Sequence, residues 1–355
     1  MYSFMNDYSE GAHPRILEML MKYNFEQNDG YGEDIHCAKA KEYIKRFVQK
    51  DDVDIHFIPG GTQTNLLVIS SFLRPHQCVI SADTGHISVH ETGAIEATGH
   101  KVVTAPSVNG KLTPDAIQEV LDYHANEHMV QPKMVYISNS TELGTIYTKE
   151  ELTAIHNICK NKDLILYLDG ARIGSALTCK LNDMQLKDIA ELTDVFYIGG
   201  TKNGALYGEA LVICREDLKK DFRYLIKQRG ALLAKGFILG IQFEALFQDN
   251  LYFELAANAN MMAEKVAMII KEHGYSFYVP PCTNMIFPIL PNKLLDELSK
   301  EFKYLIETKM DEERTVIRLV TSWATPHEAI TQLEKFFMRQ ARQGDGARQG
   351  DGSSV

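Results

Sequence analysis

The chain has 355 residues, of which 45% are hydrophobic and 24% charged, a composition typical of a globular protein with a substantial core. Its 47 acidic side chains outnumber the 37 basic ones, and the formal net charge of −10 argues against a surface built to bind a nucleic-acid backbone. No apolar run approaches the roughly 20 residues of a membrane-spanning helix, and the N-terminus lacks the basic and apolar regions of a secretion signal. We therefore expect a soluble, cytoplasmic protein that binds neither nucleic acid nor membrane.

The first two thirds of the chain alternate between short apolar, β-branched runs and segments with helical periodicity. Two of these helical segments are 113–128 and 148–162, and Thr148 with Glu151 forms a capping-box signature at the start of the second. Near-continuous apolar strands that alternate with helices predict an α/β domain with a mainly parallel sheet, covered on both faces. The predicted strands are 52–58, 77–82, 100–105, 133–138, 164–170, 194–200 and 210–215.

The pattern changes after about residue 240. A long amphipathic stretch, 250–274, precedes two apolar runs, 277–290 and 316–325, which together predict a smaller α+β domain. The last residues repeat ARQGDG and carry almost nothing that can enter a core. We expect an N-terminal segment (1–15), a large domain (16–240), a small C-terminal domain (241–340) and a disordered tail (341–355).

The cysteines and histidines form no recognisable metal or disulfide pattern. The six cysteines are far apart, and none forms a CxxC pair, so we expect reduced core thiols. Two histidine pairs have i, i+4 spacing, His86/His90 and His124/His128, but neither belongs to an HExxH motif or has a third ligand nearby. No metal site is predicted.

Three features fall at the carboxyl ends of predicted strands, where open α/β sheets bind their ligands. Gly60-Gly61-Thr62 forms a strand-to-helix turn whose backbone N–H groups can hold an anion, although an ordinary tight turn explains it equally well. The second feature is Asp169, at the end of the predicted strand 164–170, with Arg172 three residues later. In a functional interpretation, Asp169 pairs with a ring nitrogen and Arg172 stabilises a phenolate. In a structural interpretation, which is equally good, Asp169 caps a helix and the two residues form a surface ion pair.

The third feature is Lys202, which follows an apolar strand and is flanked by small residues such as Thr201. Lysine becomes a Schiff-base nucleophile when desolvation or neighbouring cations lower its pKa. The separation of 33 residues from Asp169 to Lys202 accommodates one helix and one strand, which puts both groups in adjacent loops of one sheet. A phosphate cradle, an acid that pairs with a pyridinium and an amine that condenses with an aldehyde are what pyridoxal phosphate requires.

Eight segments of the chain also match a known pattern in their order and spacing. They are NDYSEGAHPRI (6–16), YGEDIH (31–36), GGTQTN (60–65), GHISVHETGA (85–94), STELGTIYTKEEL (140–152), LDGARI (168–173), GGTKNG (199–204) and IRLVTSW (317–323). The chain thereby resembles the threonine aldolase and β-eliminating lyase family of fold-type I pyridoxal-phosphate enzymes over roughly residues 1–338. The resemblance implies a large domain with a mainly parallel seven-stranded sheet and a smaller α+β C-terminal domain.

The resemblance also implies roles around the cofactor. Lys202 forms the covalent link to pyridoxal phosphate, Asp169 pairs with the pyridine nitrogen, and Arg172 contacts the phenolic oxygen of the ring. His86 stacks on the ring and takes part in proton transfer, although alone it reads as a loop histidine. The remaining cofactor-binding residues are Gly60, Gly61 and Thr62 at the phosphate and Thr201 beside the lysine.

Substrate binding is implied for Arg318, which clamps the amino-acid carboxylate, although an arginine in a strand is usually half of an ion pair. Asn6 falls where the family usually has a serine that contacts the same carboxylate, and Tyr31 reaches the site from a neighbouring subunit. We expect a homodimer or homotetramer with shared active sites. The basic segment IKQRGALLAKG (226–236) is either a solvated turn or part of that interface, with one of Lys227, Arg229 and Lys235 facing a partner's cofactor.

Two positions depart from the family pattern. Many members have a Thr-His-Asn run, with a candidate catalytic histidine, where this chain has Thr141-Glu142-Leu143. Glu142, His86 or a water molecule therefore remain as alternatives for the base that acts on the substrate hydroxyl. His90 replaces a tyrosine that is common near the substrate β-carbon, so a preference between threo and erythro substrates is not implied.

The implied reaction is retro-aldol cleavage of the Cα–Cβ bond of L-threonine or L-allo-threonine, which gives glycine and acetaldehyde. The alternatives on the same cofactor are β-elimination, transamination and racemisation, because the bond that stands perpendicular to the ring decides between them. A catalytically silent protein that binds a metabolite is a further alternative. The presence of Lys202 argues against it.

Overall fold

Strands and helices alternate along most of the chain. The computed structural model describes residues 1–349 and the side chains of residues 1–342. The strands in this range are β1 (Tyr2–Ser3), β2 (Asp54–Ile58), β3 (Gln77–Ala82), β4 (Lys101–Ala105), β5 (Gln131–Ser138), β6 (Ile165–Asp169), β7 (Val195–Gly199), β8 (Glu209–Ile213), β9 (Ser276–Phe277), β10 (Met285–Ile286), β11 (Pro288–Pro291), β12 (Phe302–Lys303), β13 (Leu305–Lys309) and β14 (Arg314–Val320). The α-helices are α1 (Pro14–Lys22), α2 (Ile35–Val48), α3 (Gly61–Phe72), α4 (His86–Val89), α5 (Pro114–Tyr123), α6 (Lys149–Asn161), α7 (Ile173–Thr178), α8 (Leu186–Leu192), α9 (Phe222–Gln228), α10 (Phe237–Gln248), α11 (Leu251–Glu272), α12 (Asn292–Leu298) and α13 (His327–Gln349).

Seven strands form the larger sheet, in the order β2-β8-β7-β6-β5-β3-β4. The strands β3, β4, β5, β6 and β7 pair in parallel, whereas β8 is antiparallel to both of its neighbours, β7 and β2. The short connection from β7 to β8 contains no helix, and such a connection suits an antiparallel pair. The predicted mainly parallel, seven-stranded sheet is confirmed.

An apolar layer covers each face of this sheet. Leu67 of α3 and Ile226 of α9 belong to the layer on one face. Ile44 of α2, Leu152 of α6 and Phe243 of α10 belong to the layer on the other. Because both faces are covered, every position of β6 and β7 is buried, and these two strands form a rigid support for the polar residues at their ends.

The predicted cap of α6 is confirmed in detail. The Thr148 hydroxyl accepts a hydrogen bond from the Glu151 N–H, and the Glu151 carboxylate accepts one from the Thr148 N–H at 2.8 Å. These two bonds satisfy backbone donors that have no partner inside the helix. The amphipathic stretch predicted at 250–274 is also helical and forms α11.

The smaller C-terminal domain is built on an antiparallel sheet in the order β10-β14-β11-β9, with β13 also paired to β14. The start of the chain belongs to the same region, because β1 pairs in parallel with β12 and Phe4 is buried in the core of this domain. The chain then crosses to the large sheet. The domain limits given above stay predictions.

The end of the chain differs from the expected disordered tail. The last helix, α13, continues to Gln349 and so includes residues 341–349 of that tail. The first half of α13 is anchored in the small-domain core through Leu333, Phe336 and Phe337, and the helix continues beyond this anchored part into the polar repeat. The remaining predicted tail, 350–355, lies outside the described residues. Within the described residues, no helix has the length and hydropathy needed to cross a membrane.

A substitution at Gly170 tests how tightly β6 and β7 pack where the site begins. A Cβ at this position would lie 1.8 Å from the carbonyl oxygen of Tyr197, whereas a Cβ at Gly11 would meet no atom within 4 Å. We expect Gly170→Ala to lower the free energy of unfolding by about 3 kcal/mol, the upper range for overpacking. Gly11→Ala should change it by less than about 0.5 kcal/mol. Urea unfolding measures both, and equal stabilities would contradict the packing described.

Candidate active site

The site lies at the carboxyl ends of β6 and β7, which are neighbours in the sheet. Asp169 is the last residue of β6, and Lys202 lies in the turn that follows β7. Asn203 fixes this turn by donating a hydrogen bond to the Tyr252 carbonyl at 2.7 Å. The topology therefore brings the acid and the lysine to one edge, as their spacing in the sequence predicts.

Four donors surround the buried carboxylate of Asp169. The Tyr136 hydroxyl donates to Oδ2 at 2.6 Å, and the Tyr197 hydroxyl donates to Oδ1 at 2.5 Å. The Ala171 N–H donates to Oδ1 at 2.9 Å, and the Asn65 amide donates to Oδ2 at 3.2 Å. Hydrogen bonds to an ionised acceptor stabilise its charged form. These donors therefore favour an anion at this position.

The electrostatics of Asp169 agree with its hydrogen bonds. Burial alone would raise the pKa of the carboxyl, but His86 and the hydroxyls of Tyr136 and Tyr197 outweigh it and hold the pKa below its usual range. A carboxylate that remains ionised in a buried site can hold a proton on a ring nitrogen that faces it.

His86 is joined to Asp169 through two further side chains. Its Nδ1 lies 2.7 Å from Oε1 of the buried Glu91, and the same oxygen accepts a hydrogen bond from the Asn65 amide at 2.7 Å. The Tyr167 hydroxyl donates to Asn65 Oδ1 at 2.7 Å and fixes the orientation of that amide. The imidazole is therefore oriented by a buried carboxylate while about a third of the side chain remains exposed (34%).

Glu142 lies on the other side of His86. Its Oε1 accepts a hydrogen bond from the Ser138 hydroxyl at 2.6 Å and another from the His86 backbone N–H at 2.9 Å. Burial raises the pKa of the Glu142 carboxyl against the effect of the Ser138 hydrogen bond, and the negative charge of Asp169 raises it further. A raised pKa makes this carboxylate a better proton acceptor than that of an exposed glutamate.

Lys202 is half-buried among charges of both signs. Burial and the positive charge of Arg172 lower the pKa of its amine, although Asp7, Asp169 and Glu209 act in the opposite direction. A lowered pKa increases the fraction of neutral amine, which is the nucleophilic form.

Thr201, next to the lysine, is held by Glu209. The Thr201 hydroxyl donates to Glu209 Oε1 at 2.8 Å and accepts from the Gly208 N–H at 3.0 Å. Burial raises the pKa of the Glu209 carboxyl to about 7, against the Thr201 hydrogen bond and the charge of Lys202. The loop that carries the lysine is thus tied to the first residue of β8.

Arg172 forms a buried ion pair with Asp7. Its Nε donates to Asp7 Oδ2 at 2.6 Å, and its Nη2 donates to Asp7 Oδ1 at 3.0 Å. The Asn284 amide also donates to Asp7 Oδ2, at 2.9 Å. These contacts join the large domain, the N-terminal segment and the small domain. Asp7 uses two of the five guanidinium N–H groups, which leaves donors for another oxygen.

Arg318 on β14 approaches the same edge from the small domain. Its Nε is buried and has no hydrogen-bond partner among the described residues. Burial and the positive charge of Arg172 lower the pKa of its guanidinium. Partial burial and the charges of His86, Arg318 and Lys202 also lower the pKa of His90, so His90 lies within the same field. An unpartnered guanidinium N–H in a positive field is suited to bind an anionic ligand.

The turn at 60–62 forms the N-terminus of α3. Gly60 is the N-cap residue, and no side chain caps the helix. A Cβ at Gly61 would lie 3.3 Å from the Tyr197 hydroxyl, so this turn packs directly against the Asp169 network, and Thr62 is exposed. The free N–H groups and partial positive charge of a helix N-terminus favour an anion such as a phosphate.

A model of the beta-eliminating lyase family matches residues 9–292. The chain belongs to this family. A structure described as a Leishmania major threonine aldolase is 50% identical, with a TM-score of 0.94 over 96% of this chain and 99% of that one. A low specificity L-threonine aldolase of a Pseudomonas species is 31% identical over 93% of this chain and 95% of its own length. An aromatic aminotransferase structure from Pyrococcus horikoshii shares the fold, at 16% identity and a TM-score of 0.71 over 97% of this chain and 96% of that one. The predicted fold-type I architecture is confirmed.

Two residues predicted to bind substrate make contacts outside the Asp169 network in this member of the beta-eliminating lyase family. The Asn6 side chain accepts hydrogen bonds from the Tyr8 N–H at 3.0 Å and the Ser9 hydroxyl at 2.9 Å, and its neighbour Asp7 reaches Arg172 instead. Tyr31 is exposed, and its ring lies 4.5 Å from the Lys227 amine.

The rest of the basic segment 226–236 lies near the same surface. The Gln63 amide, in the first turn of α3, donates to the Arg229 carbonyl at 3.2 Å. Lys235 is exposed. The segment therefore connects the surface that carries Tyr31 with the N-terminus of α3.

Sequence reasoning missed several residues that build the candidate active site. Asp7, Asn65 and Glu91 all lie inside the segments that carry the family resemblance. Their position in those segments was the one signal in the sequence that could have pointed to them. The three tyrosines had a weaker signal, since they occur near the ends of three neighbouring apolar strands. They are Tyr136, Tyr167 and Tyr197.

The ion pair between Asp7 and Arg172 makes a prediction about stability and pH. The charge of Arg172 and the hydrogen bonds to Asp7 outweigh burial and lower the pKa of the Asp7 carboxyl. Its contribution to stability is therefore present above the unfolded-state pKa and is lost as the pH falls through the lowered folded-state value. We expect Asp7→Asn to lower the free energy of unfolding at neutral pH by about 3 kcal/mol. The difference from wild type should shrink in acid.

Urea unfolding at several pH values measures this effect. Asn6→Ala is the matched control, because its side chain makes only local hydrogen bonds. A deficit for Asp7→Asn that does not change with pH would contradict an ionised carboxylate at this position.

Proposed function

We propose that this chain is a pyridoxal-phosphate-dependent aldolase that cleaves L-threonine and L-allo-threonine to glycine and acetaldehyde. The observation that carries the proposal is the meeting of Lys202, whose amine has a lowered pKa, with the ionised Asp169 at one sheet edge. The names of the Leishmania and Pseudomonas relatives support the choice of substrate.

The residues present fit pyridoxal phosphate. Gly60 and Gly61 offer an uncapped helix N-terminus for the phosphate, and Thr201 lies beside Lys202. Asp169 would pair with the pyridine nitrogen, and Lys202 would supply the amine for the covalent link. The unpartnered Nε of Arg318 is left for the substrate carboxylate, which suits the planar fork of a guanidinium.

When bound, pyridoxal phosphate supplies an electron-withdrawing ring that stabilises the negative charge left at the substrate Cα. Asp169 would keep the ring nitrogen protonated, because His86 and the hydrogen bonds from Tyr136 and Tyr197 hold its own pKa low against burial. Arg172 would donate to the phenolic oxygen through the N–H groups that Asp7 does not use. Arg318 would hold the carboxylate and so orient the Cα–Cβ bond for cleavage.

Glu142 is the base that we assign to the β-hydroxyl group. Its carboxyl is half-buried, and its raised pKa gives it a higher affinity for a proton than an exposed glutamate has. His86 lies next to it and is oriented by Glu91, so it can relay that proton. Loss of the hydroxyl proton breaks the Cα–Cβ bond, the aldehyde leaves, and a proton returned to Cα gives glycine.

The description of the family itself favours one alternative, β-elimination. Elimination removes the Cα proton and breaks the bond from Cβ to its leaving group, so the products are ammonia and a keto acid. The same cofactor residues serve both reactions, and the orientation of the substrate at Arg318 selects between them.

Product analysis tests the proposal. Purified chain saturated with pyridoxal phosphate and incubated with L-threonine should release glycine and acetaldehyde in equal amounts. Lys202→Ala should lose both the yellow absorbance of the bound cofactor and the products, whereas Lys101→Ala, at an exposed position on β4, should keep both. Ammonia and a keto acid would favour elimination. A protein that stays colourless with added cofactor would contradict the enzyme assignment.

The assignment of Glu142 makes a separate prediction about pH. The base must be ionised to accept a proton, so the rate should fall as the pH drops through the raised pKa of Glu142. We expect Glu142→Gln to lower kcat by about 10²-fold or more, the usual effect of removing a general base. The acid limb of the kcat profile should also disappear. If the limb persists in this variant, His86 or water is the base.

We also propose a homodimer or homotetramer with shared active sites. The exposed surface formed by Tyr31, Lys227 and Arg229 supports this, because Arg229 is tied to the first turn of α3 and so lies beside the proposed phosphate site. A cytoplasmic location stays a prediction made from the sequence.

A further inference from the structure

Two cysteines that are far apart in the sequence meet between the domains. Cys179 is the C-cap residue directly after α7 of the large domain, and Cys282 lies in the segment that precedes β10 of the small domain. Their Sγ atoms are 3.4 Å apart, and both thiols are free. A disulfide requires the sulfurs to approach to about 2.05 Å. The two sulfurs must therefore move about 1.4 Å closer together for the reduced pair to become a disulfide.

The pair borders an open cleft. Cys179 and Cys282 both line a cavity of about 1040 Å³, together with Lys180 and Met268. Cys179 is 7% exposed, and Cys282 is more exposed than Cys179. A small oxidant in the cleft therefore has access to both sulfurs.

The two thiols have unequal acidity. The hydrogen bond with Cys282 lowers the pKa of Cys179 to about 7, with help from the backbone N–H groups of Leu181 and Asn182. The same hydrogen bond raises the pKa of Cys282. Burial raises the pKa of Cys78 and of Cys214 to about 12, so these core thiols are unreactive by comparison.

We propose that Cys179 and Cys282 form a redox-active pair, a modification site that a peroxide converts into a disulfide between the two domains. The Cys179 thiol loses its proton, its thiolate attacks one oxygen of hydrogen peroxide, and the O–O bond breaks to give a sulfenic acid. The leaving hydroxide takes up a proton, equal to the one that the thiol released, and forms one water. The thiol of Cys282 then attacks the sulfenic sulfur, which forms the S–S bond and releases a second water. Two thiols are oxidised and one peroxide is reduced, so atoms and electrons balance.

The disulfide would link two segments that lead to the catalytic residues. The α7 helix begins directly after Arg172 and ends directly before Cys179, and Cys282 is two residues from Asn284. Arg172 and Asn284 both hold Asp7. Oxidation therefore fixes the small domain against the part of the large domain that carries Arg172.

Peptide mapping tests the proposal directly. The enzyme saturated with pyridoxal phosphate is treated with hydrogen peroxide, alkylated and digested with trypsin without reduction. We expect the peptide 173–180 to be joined to the peptide 272–293, with a mass two hydrogens below their sum, and to be released by dithiothreitol. The peptide 203–215, which contains Cys214, should remain alkylated and serves as the internal control.

Two variants distinguish the roles of the sulfurs. Cys282→Ser should leave a sulfenic acid on Cys179 that dimedone traps, whereas Cys179→Ser should slow the reaction at position 282 by about tenfold or more, because the thiolate is the nucleophile. The oxidised wild type should also melt roughly 5 °C higher than the reduced protein. Both variants should lack that shift.

Two results would overturn the proposal. One is oxidation of Cys179 or Cys282 without any joined peptide in the wild type. The other is a joined peptide found only in a covalent dimer on a non-reducing gel, which would place the bond between chains. Because peptide mapping does not depend on turnover, neither result bears on the proposed aldolase reaction.

Discussion

The site depends on one costly arrangement, a carboxylate kept ionised in the interior at the end of β6. Removing such a charge from water costs several kcal/mol unless strong donors replace the solvent. Two tyrosine hydroxyls, a backbone N–H and an amide do so for Asp169. Tyr136 and Tyr197 reach the carboxylate because their strands, β5 and β7, lie on either side of β6. The ionisation of Asp169 therefore depends on the strand order of the sheet.

The other charges of the site follow from this anion. Arg172 and Arg318 bring positive charge to the same edge, and the ionised Asp7, which is paired with Arg172, offsets part of it. The pKa values of the ionisable groups at this edge are shifted in different directions. Asp169 and Asp7 are held ionised, whereas Glu142 and Glu209 are shifted toward protonation and Lys202 toward the neutral amine. One small region therefore contains a fixed anion, a nucleophilic amine and a carboxyl that can exchange protons.

The sequence predicted the parts that depend on local pattern. Near-continuous apolar runs indicate strands covered on both faces, and all seven were found; the positions of Asp169 and Lys202 after such runs indicated their shared edge. The position of Asp7 was missed because a parallel pair between β1 and β12, which are about 300 residues apart, sets the path of the N-terminus. The meeting of Cys179 with Cys282 likewise depends on how two domains pack. The helix in 341–349 was missed because the composition of this segment was judged by itself. In the structure the segment continues a helix that is already anchored in the core.

The central claim is that the ionised Asp169 is required for cleavage. Its most direct test is the rate of glycine formation from L-threonine by Asp169→Asn, with the exposed Asp163→Asn as control and thermal unfolding to verify the fold. We expect Asp169→Asn to remain folded and to lose about 10²-fold or more of the rate, the size of effect seen when a preorganised electrostatic group is removed. Asp163→Asn should match the wild type. A folded Asp169→Asn variant with an unchanged rate would contradict the claim.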